Sequence, residues 1–229
     1  MKIMKNKANF RHNSRNKTIE TAGRVYTDSP IRGNFHKLRE ANYGQGFRPS
    51  TFGEILSLAD QSYINQGNAG ADNVVQAARK FWLSGNTSAY GGEEIIIVQN
   101  FPNIEGGRIV MNPKELEDLL SRGKDLVKGV RLSRDGRVGS VSREMVREGW
   151  HDEEEIRNSL YPIVLALNKE GSNNMAGISN TTKKKAYFRF PAVGEIRVPG
   201  LVEVDGRLGL GGDDWFGFDD YSYSFGVRE

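Results

Sequence analysis

The sequence contains no cysteine and only three histidines among its 229 residues. The absence of cysteine excludes disulfide bonds, thiolate metal sites, iron–sulfur clusters and a cysteine nucleophile. His12 and His36 lie in the first fifty residues, which leaves His151 as the single histidine of the remainder. The sequence therefore offers little material for a histidine-based metal site or a catalytic triad.

Long apolar runs are also absent. The longest, Pro162–Leu167, is far shorter than the roughly 20 residues that a membrane-spanning helix requires. The N-terminus is positively charged, but Lys5, Asn6 and Lys7 stand where a secretory signal would have its apolar core. We therefore expect no membrane partner and no signal peptide, with a location in the cytoplasm or within a particle.

Common phosphate-binding and nuclease motifs are missing. The only Gly-Lys pair, Gly123-Lys124, has Asp118 where a Walker A loop needs glycine, and the glycines at 206–212 do not follow the dinucleotide-binding pattern. None of the 29 acidic residues is followed two positions later by lysine, the spacing that restriction-type nucleases use around a metal-bound water. We predict no cofactor.

The charge is distributed unevenly along the chain. Residues 1–50 carry eleven Lys or Arg against three acids, a net charge of +8, whereas the whole chain carries +3. This segment shows no sustained apolar period, which predicts an extended basic arm that seeks phosphates or an acidic neighbour. The arm residues expected to contact nucleic acid are Lys2, Lys5, Lys7, Arg11, Arg15, Lys17 and Arg24.

Residues 51–229 are predicted to form a single domain of the α+β class. Thr51 and Glu54 form a capping-box pattern that opens an amphipathic helix, so the first half is expected to be helical. Glu94–Gln99 is typical of a buried strand. The pairs Asp135-Gly136 and Asp205-Gly206 predict hairpins in a second half built around a mixed sheet.

The stretch between these hairpins is predicted to be a strand followed by a loop. Ile163–Leu167 is continuously apolar, and Pro162 before it ends a predicted helix. Asn168–Thr182 is polar and rich in Asn, Ser and Thr, which indicates a long loop.

A second basic feature follows at residues 183–190. On a strand, Lys185, Tyr187 and Arg189 would share one face, while Phe188 and Phe190 would face the core. An aromatic ring between two cations is the composition of a platform for single-stranded nucleic acid. An ordinary amphipathic strand is the alternative. The predicted contacts here are Lys183, Lys184, Lys185, Tyr187 and Arg189.

The segment from about residue 211 is both acidic and aromatic. Its aromatic residues are predicted to anchor the chain in pockets of a neighbouring subunit: Trp215, Phe216, Phe218, Tyr221, Tyr223 and Phe225. The alternative is that these residues complete the core of their own chain, or that the segment pairs with the basic arm within one molecule. Its acids could instead form a hard-oxygen site for Mg²⁺ or Ca²⁺. The acids concerned are Asp213, Asp214, Asp219 and Asp220, with Glu203 or Asp205.

Three functions remain open at this point. The first is a non-enzymatic structural or assembly protein of a virion-like or ribonucleoprotein-like particle. Its partners would be other subunits of the same or another chain, and nucleic acid. The second is a metal-dependent hydrolase or nuclease that uses the C-terminal acids. The third is a regulatory module that binds a protein partner.

Overall fold

The structure, a computed structural model, describes residues 10–100, 103–105, 108–211 and 222–229, with the backbone alone at 103–105 and 108–110. It confirms the α+β class. The helices are α1 Phe35–Glu40, α2 Phe52–Ile64, α3 Ala69–Lys80, α4 Pro113–Ser121, α5 Glu153–Asn158, α6 Tyr161–Ala166 and α7 Gly171–Thr182.

The strands are short and are distributed along the described part of the chain. They are β1 Arg11–Asn13, β2 Thr18–Thr21, β3 Arg24–Thr27, β4 Ile31–Gly33, β5 Arg48–Pro49, β6 Trp82–Ser84, β7 Thr87–Gly91, β8 Glu94–Gln99, β9 Asn103–Glu105, β10 Arg108–Val110, β11 Lys124–Val127, β12 Val130–Leu132, β13 Val138–Ser142, β14 Gly149–His151, β15 Ala186–Arg189, β16 Ile196–Arg197, β17 Gly200–Val204, β18 Arg207–Gly211, β19 Ser222–Ser224 and β20 Gly226–Arg228.

These strands form three larger sheets and a two-stranded ribbon of β9 and β10. The first sheet has the order β1-β2-β3-β20-β5, the second β11-β12-β13-β8-β7-β16, and the third β14-β15-β18-β17-β6-β19-β4. The third sheet is mixed, because β15 runs parallel to β18 and β19 runs parallel to β6.

The described part of the predicted arm is folded, which corrects the expectation of an extended segment at residues 10–50. Strand β20 pairs with both β3 and β5, so this segment shares a sheet with the far end of the chain. Ile19 and Tyr26 are fully buried, and Phe35 and Leu38 are nearly so. The few apolar residues of this segment pack against residues that are distant in the sequence. The extended arm was expected because the segment has no sustained apolar period, and a local period does not reveal such distant packing.

The core lies between the sheets and a helical layer in which α2 packs against α3 and α7. The predicted capping box is present: the Thr51 hydroxyl accepts from the Glu54 amide, and the Glu54 carboxylate accepts from the Thr51 amide. The buried strand β8 has the predicted bounds Glu94–Gln99 and lies in the middle of the second sheet.

The predicted strand at Ile163–Leu167 and the predicted loop at Asn168–Thr182 are both helical. Pro162 stands in the first turn of α6, a position that proline tolerates, and Leu167 ends that helix with a φ of 50°. Helix α7 is largely buried despite its polar composition. Among the described helices, none is long and apolar enough to cross a bilayer.

Candidate binding surface

One face of the third sheet carries a row of residues that the strand register places side by side. Trp150 on β14 pairs with Tyr187 on β15, and Tyr187 pairs with Gly209 on β18. Gly209 pairs with Val202 on β17, and the β17–β6 register continues to Trp82 on β6. We call this set, Trp150, Tyr187, Gly209, Val202 and Trp82, the aromatic row.

The aromatic row lines an open depression of about 440 Å³. Gly209 has no side chain, and Val202 and the Trp82 indole occupy the space above it: a Cβ there would lie 2.9 Å from Val202 Cγ1 and 3.4 Å from Trp82 Cη2. Gly200 has the same role on the neighbouring strand, where a Cβ would lie 2.9 Å from Trp82 Cε3. The two glycines therefore let the Trp82 indole pack closely against the sheet. The volume of the depression is in the range of small-ligand sites.

Two aromatic rings of the row are exposed. Trp150 is 42% exposed and Tyr187 is 38% exposed, with ring centroids 5.2 Å apart and planes at 68°. The guanidinium of Arg207 lies 5.6 Å from the centroid of the Trp150 ring, within reach of a cation–π interaction. A contiguous exposed group of large aromatic residues marks an interaction surface more often than it serves stability.

Cations border the row on both sides. Lys185 and Arg189 flank Tyr187 along the strand direction, and Arg207 lies two residues before Gly209 on β18. One acidic residue, Asp205 at the tip of the β17–β18 turn, is among the residues that line the depression. The surface is therefore aromatic at its centre and predominantly cationic at its border.

The structure places the 183–190 residues largely as the alternation predicts. Tyr187 faces solvent, and Phe188 is fully buried. Lys183 and Lys185 are exposed, whereas Lys184 forms an ion pair with buried Glu203. Lys184 is thus part of an internal network, and Tyr187 and Arg189 line the depression.

The predicted nucleic-acid contacts of the N-terminal segment that the structure describes are not brought to the aromatic row. Arg11 lies on β1, and Arg15 and Lys17 lie in the turn between β1 and β2. Arg24 lies on β3 with its Nε 3.4 Å from Glu54 Oε1. Lys2, Lys5 and Lys7 are outside the described residues, so their role stays a prediction.

Two of the predicted interface aromatics are described. Phe225 is fully buried in the core of its own chain, which corrects its assignment to an intermolecular contact. Tyr223 is half-buried, with its ring centroid 5.6 Å from that of Phe81. The others, Trp215, Phe216, Phe218 and Tyr221, lie outside the described residues.

The predicted acidic metal site is described only at Glu203 and Asp205. Glu203 accepts hydrogen bonds from the Tyr63 hydroxyl at 2.7 Å and from Arg79 Nε at 3.0 Å, and it pairs with Lys184. Burial alone would raise the pKa of Glu203, but these three donors together lower it below its usual value. Its oxygens are thus engaged within the protein.

No group of three or more histidines and acids is placed to hold a metal among the residues that the structure describes. Asp213, Asp214, Asp219 and Asp220 lie outside those residues. The hydrolase hypothesis, which depends on them, stays a prediction.

A second cleft, of about 780 Å³, lies at the N-terminal end of α2. Its central carboxylate, Glu54, accepts from Arg48 Nη1 and Nη2 at 2.9 and 2.8 Å and from the Thr51 amide at 2.8 Å. Burial raises the pKa of Glu54, but Arg48 and Thr51 outweigh burial and lower it. These groups cap α2 and connect it to β5, which is a structural role.

Sequence reasoning missed Trp82, Trp150 and Arg207 as members of the surface. Arg207 and Gly209 are two residues apart on a strand of a predicted hairpin, so both lie on the same face of that strand. This alternation could have identified Arg207 as a surface residue. The pairing of β14 with β15, and of β17 with β6, joins segments remote in sequence. No local pattern indicates that these segments are neighbours.

Comparison with known proteins identifies a fold and no family. No protein family model matches the chain, and no curated protein matches it. A solved structure described as "Accommodation of massive sequence variation in Nanoarchaeota by the C-type lectin fold" is similar, with a TM-score of 0.56 and 13% sequence identity. The similarity covers 87% of this chain and 98% of the other. It shows the C-type lectin fold alone.

Proposed function

We propose that the protein is a non-enzymatic structural or assembly protein, a component of a virion-like or ribonucleoprotein-like particle, and that it attaches to its partner through the aromatic row. The observation that carries this proposal is the exposed pair of Trp150 and Tyr187 on an open sheet face. Because residues 10–50 are folded, we propose that a face of the folded sheet makes the attachment, and not an extended arm formed by these residues.

The composition of the surface supports a binding role. Trp, Tyr and Arg are the residues that contribute most of the energy in protein interfaces, and all three occur here at neighbouring positions. Exposed aromatic rings offer large contact area at a small loss of side-chain entropy. The surface is therefore suited to contact with a large partner.

The fold adds a second line of support. The similar protein from Nanoarchaeota is described as accommodating massive sequence variation on the C-type lectin fold. A fold that accommodates varied sequence can present varied surfaces, and function then depends on the surface that a given chain presents. In this chain the distinctive described surface is the aromatic row.

Sedimentation of the full-length protein tests the proposal. The chain is measured alone, with poly-L-glutamate and with a 20-residue oligothymidylate, at low salt. We compare it with the double variant Trp150→Ala/Tyr187→Ala and with Val193→Ser, a control at a residue that is 76% exposed and does not line the depression. Circular dichroism checks that each variant is folded.

We expect the unmodified chain and the control to form at least one larger species, through self-association or with one polyanion, and the double variant to form none. The proposal is wrong if none of the three conditions yields a complex. It is equally wrong if the double variant associates as well as the unmodified chain.

A further inference from the structure

We infer that the partner of the aromatic row is a single-stranded nucleic acid, with bases against the aromatic rings and phosphates at the bordering cations. This inference rests on the proposed function and names its ligand class.

The rings of the row lie close together on one sheet face. Trp82 stands on β6, which β17 separates from β18, but its indole extends over β17: Cε3 would lie 2.9 Å from a Cβ at Gly200, and Cη2 would lie 3.4 Å from a Cβ at Gly209. Gly209 is the register partner of Tyr187, so the Trp82 indole reaches the strand next to Tyr187. Trp150 pairs with Tyr187 on the other side, with ring centroids 5.2 Å apart. The three rings therefore form one aromatic group against which the bases of a single strand can stack.

The charges lie where a phosphate backbone would pass. Lys185 and Arg189 are two residues before and after Tyr187, so each is about 7 Å from it along the strand. Arg207 has the same offset from Gly209 on the adjacent strand. An aromatic row with cations on both sides fits a polymer in which planar groups and anions alternate, as they do in a single strand.

An acidic peptide fits this surface less well. Peptides commonly bind sheets by adding a strand at an edge, where backbone N–H and C=O groups are unpaired. The row is centred on β15, β18 and β17, each of which is paired on both sides. Recognition on this face must therefore come from side chains, and the side chains present are rings and cations.

Duplex DNA also fits less well. Its bases are stacked inside the helix, so their faces are not available to exposed aromatic rings. The row has sheet geometry, and in the described residues no helix projects from it into a groove. A preference for single strands over duplex is therefore part of the inference.

Fluorescence anisotropy with the full-length protein tests the inference. The ligands are fluorescein-labelled 20-residue oligothymidylate, a 20-base-pair duplex, and labelled poly-L-glutamate as the acidic polypeptide. The variants are Tyr187→Ala, Tyr187→Phe and Arg207→Ala, with Val193→Ser as the control. Salt is titrated from 50 to 200 mM.

We expect oligothymidylate to bind more tightly than the duplex or poly-L-glutamate. Tyr187→Ala should weaken binding by about tenfold, the loss of one stacked base, without changing the salt dependence. Tyr187→Phe should retain binding, because the ring is kept. Arg207→Ala should weaken binding and reduce the slope of log K against log salt by about 0.7, the loss of one phosphate contact.

The outcomes separate this inference from the proposed function. If poly-L-glutamate binds or the chain self-associates through the row while oligothymidylate does not bind, the nucleic-acid inference is wrong and the proposed function stands. If oligothymidylate binds equally to Tyr187→Ala and Arg207→Ala, the row is not its site and the inference is overturned. If no ligand binds and the chain does not self-associate, both are wrong.

Discussion

The hydroxyl of Tyr63 donates a hydrogen bond of 2.7 Å to Oε2 of Glu203, and so joins α2 to β17 across 140 residues of sequence. Burial of the phenol, and next the neighbouring carboxylate, raise the pKa of Tyr63 well above its usual value, so the hydroxyl keeps its proton at any physiological pH. This hydrogen bond holds the core-facing side of β17. The opposite side of β17 carries Val202, a member of the aromatic row.

Replacing Tyr63 by Phe should lower the free energy of unfolding by about 1.5 kcal/mol, because hydrogen bonds to charged groups contribute more than neutral ones. Urea unfolding followed by circular dichroism measures this change. Tyr90→Phe, at a half-buried tyrosine, is the matched control and should change stability by less than 0.5 kcal/mol, roughly the scale of surface substitutions. Equal stability of Tyr63→Phe and the unmodified protein would contradict the assignment.

Stability should decline between pH 7 and pH 5 because of His151. Its ring stacks on Phe188 at 4.2 Å, and Nε2 donates to the Arg147 carbonyl at 2.9 Å. Burial lowers the pKa of His151 below its unfolded value of about 6.5. Below that pH the unfolded chain binds the proton more readily, so stability is lost as pH falls toward the folded pKa.

The measurement is the urea midpoint at several pH values between 5.0 and 7.5. His151→Gln retains a donor but does not titrate, and its midpoint should fall less steeply with pH than that of the unmodified protein. Identical slopes for the two proteins would show that His151 is not responsible.

Gly171→Ala should destabilise the protein although alanine favours helices. A Cβ at Gly171 would collide with the Pro162 carbonyl oxygen, because α6 and α7 pack closely at that point. We expect a loss of about 1–3 kcal/mol, the usual cost of overpacking. Gly92→Ala is the control, since its Cβ would find its nearest atom, Glu94 O, at 3.3 Å. A stable Gly171→Ala protein would mean that the two helices can separate without cost.

Removal of residues 1–50 should prevent folding, because β20 would lose both of its partners, β3 and β5. A milder pair of variants tests the same sheet. Val227→Ala, at a fully buried position, should cost about 2 kcal/mol, whereas Arg228→Ala, at an exposed one, should cost little. The near-ultraviolet circular dichroism of the truncated chain and the urea midpoints of the two variants are the measurements. A cooperatively folded truncated chain would restore the hypothesis of a separate arm.

Elements with strong local signals were predicted well from the sequence. The capping box at Thr51, the β-branched strand Glu94–Gln99 and the turn at Asp205-Gly206 each depend on neighbouring residues alone. At that turn both central residues have positive φ, 49° and 75°, as a two-residue hairpin requires. Such features are encoded within a few positions.

Elements that depend on distant partners were not predicted. Helix α7 is rich in Gly, Ser and Asn, residues of low helix propensity, and packing against α2 overrides that propensity. The close approach of Gly177 to Asp60 shows why small residues are used there. Half of the candidate site was missed for the same reason, since Trp82 and Trp150 reach Tyr187 only through sheet pairing.

The position of β20 has a consequence for synthesis in the cell. Thr27 on β3 accepts a hydrogen bond from the Gly226 amide, 199 positions later in the chain. At translation rates of 5–20 residues per second, the nascent β3 waits roughly 10–40 s for this partner. Throughout that interval the edge of β3 that β20 later covers has no strand partner from its own chain, and such an edge is open to mispairing with neighbouring nascent chains.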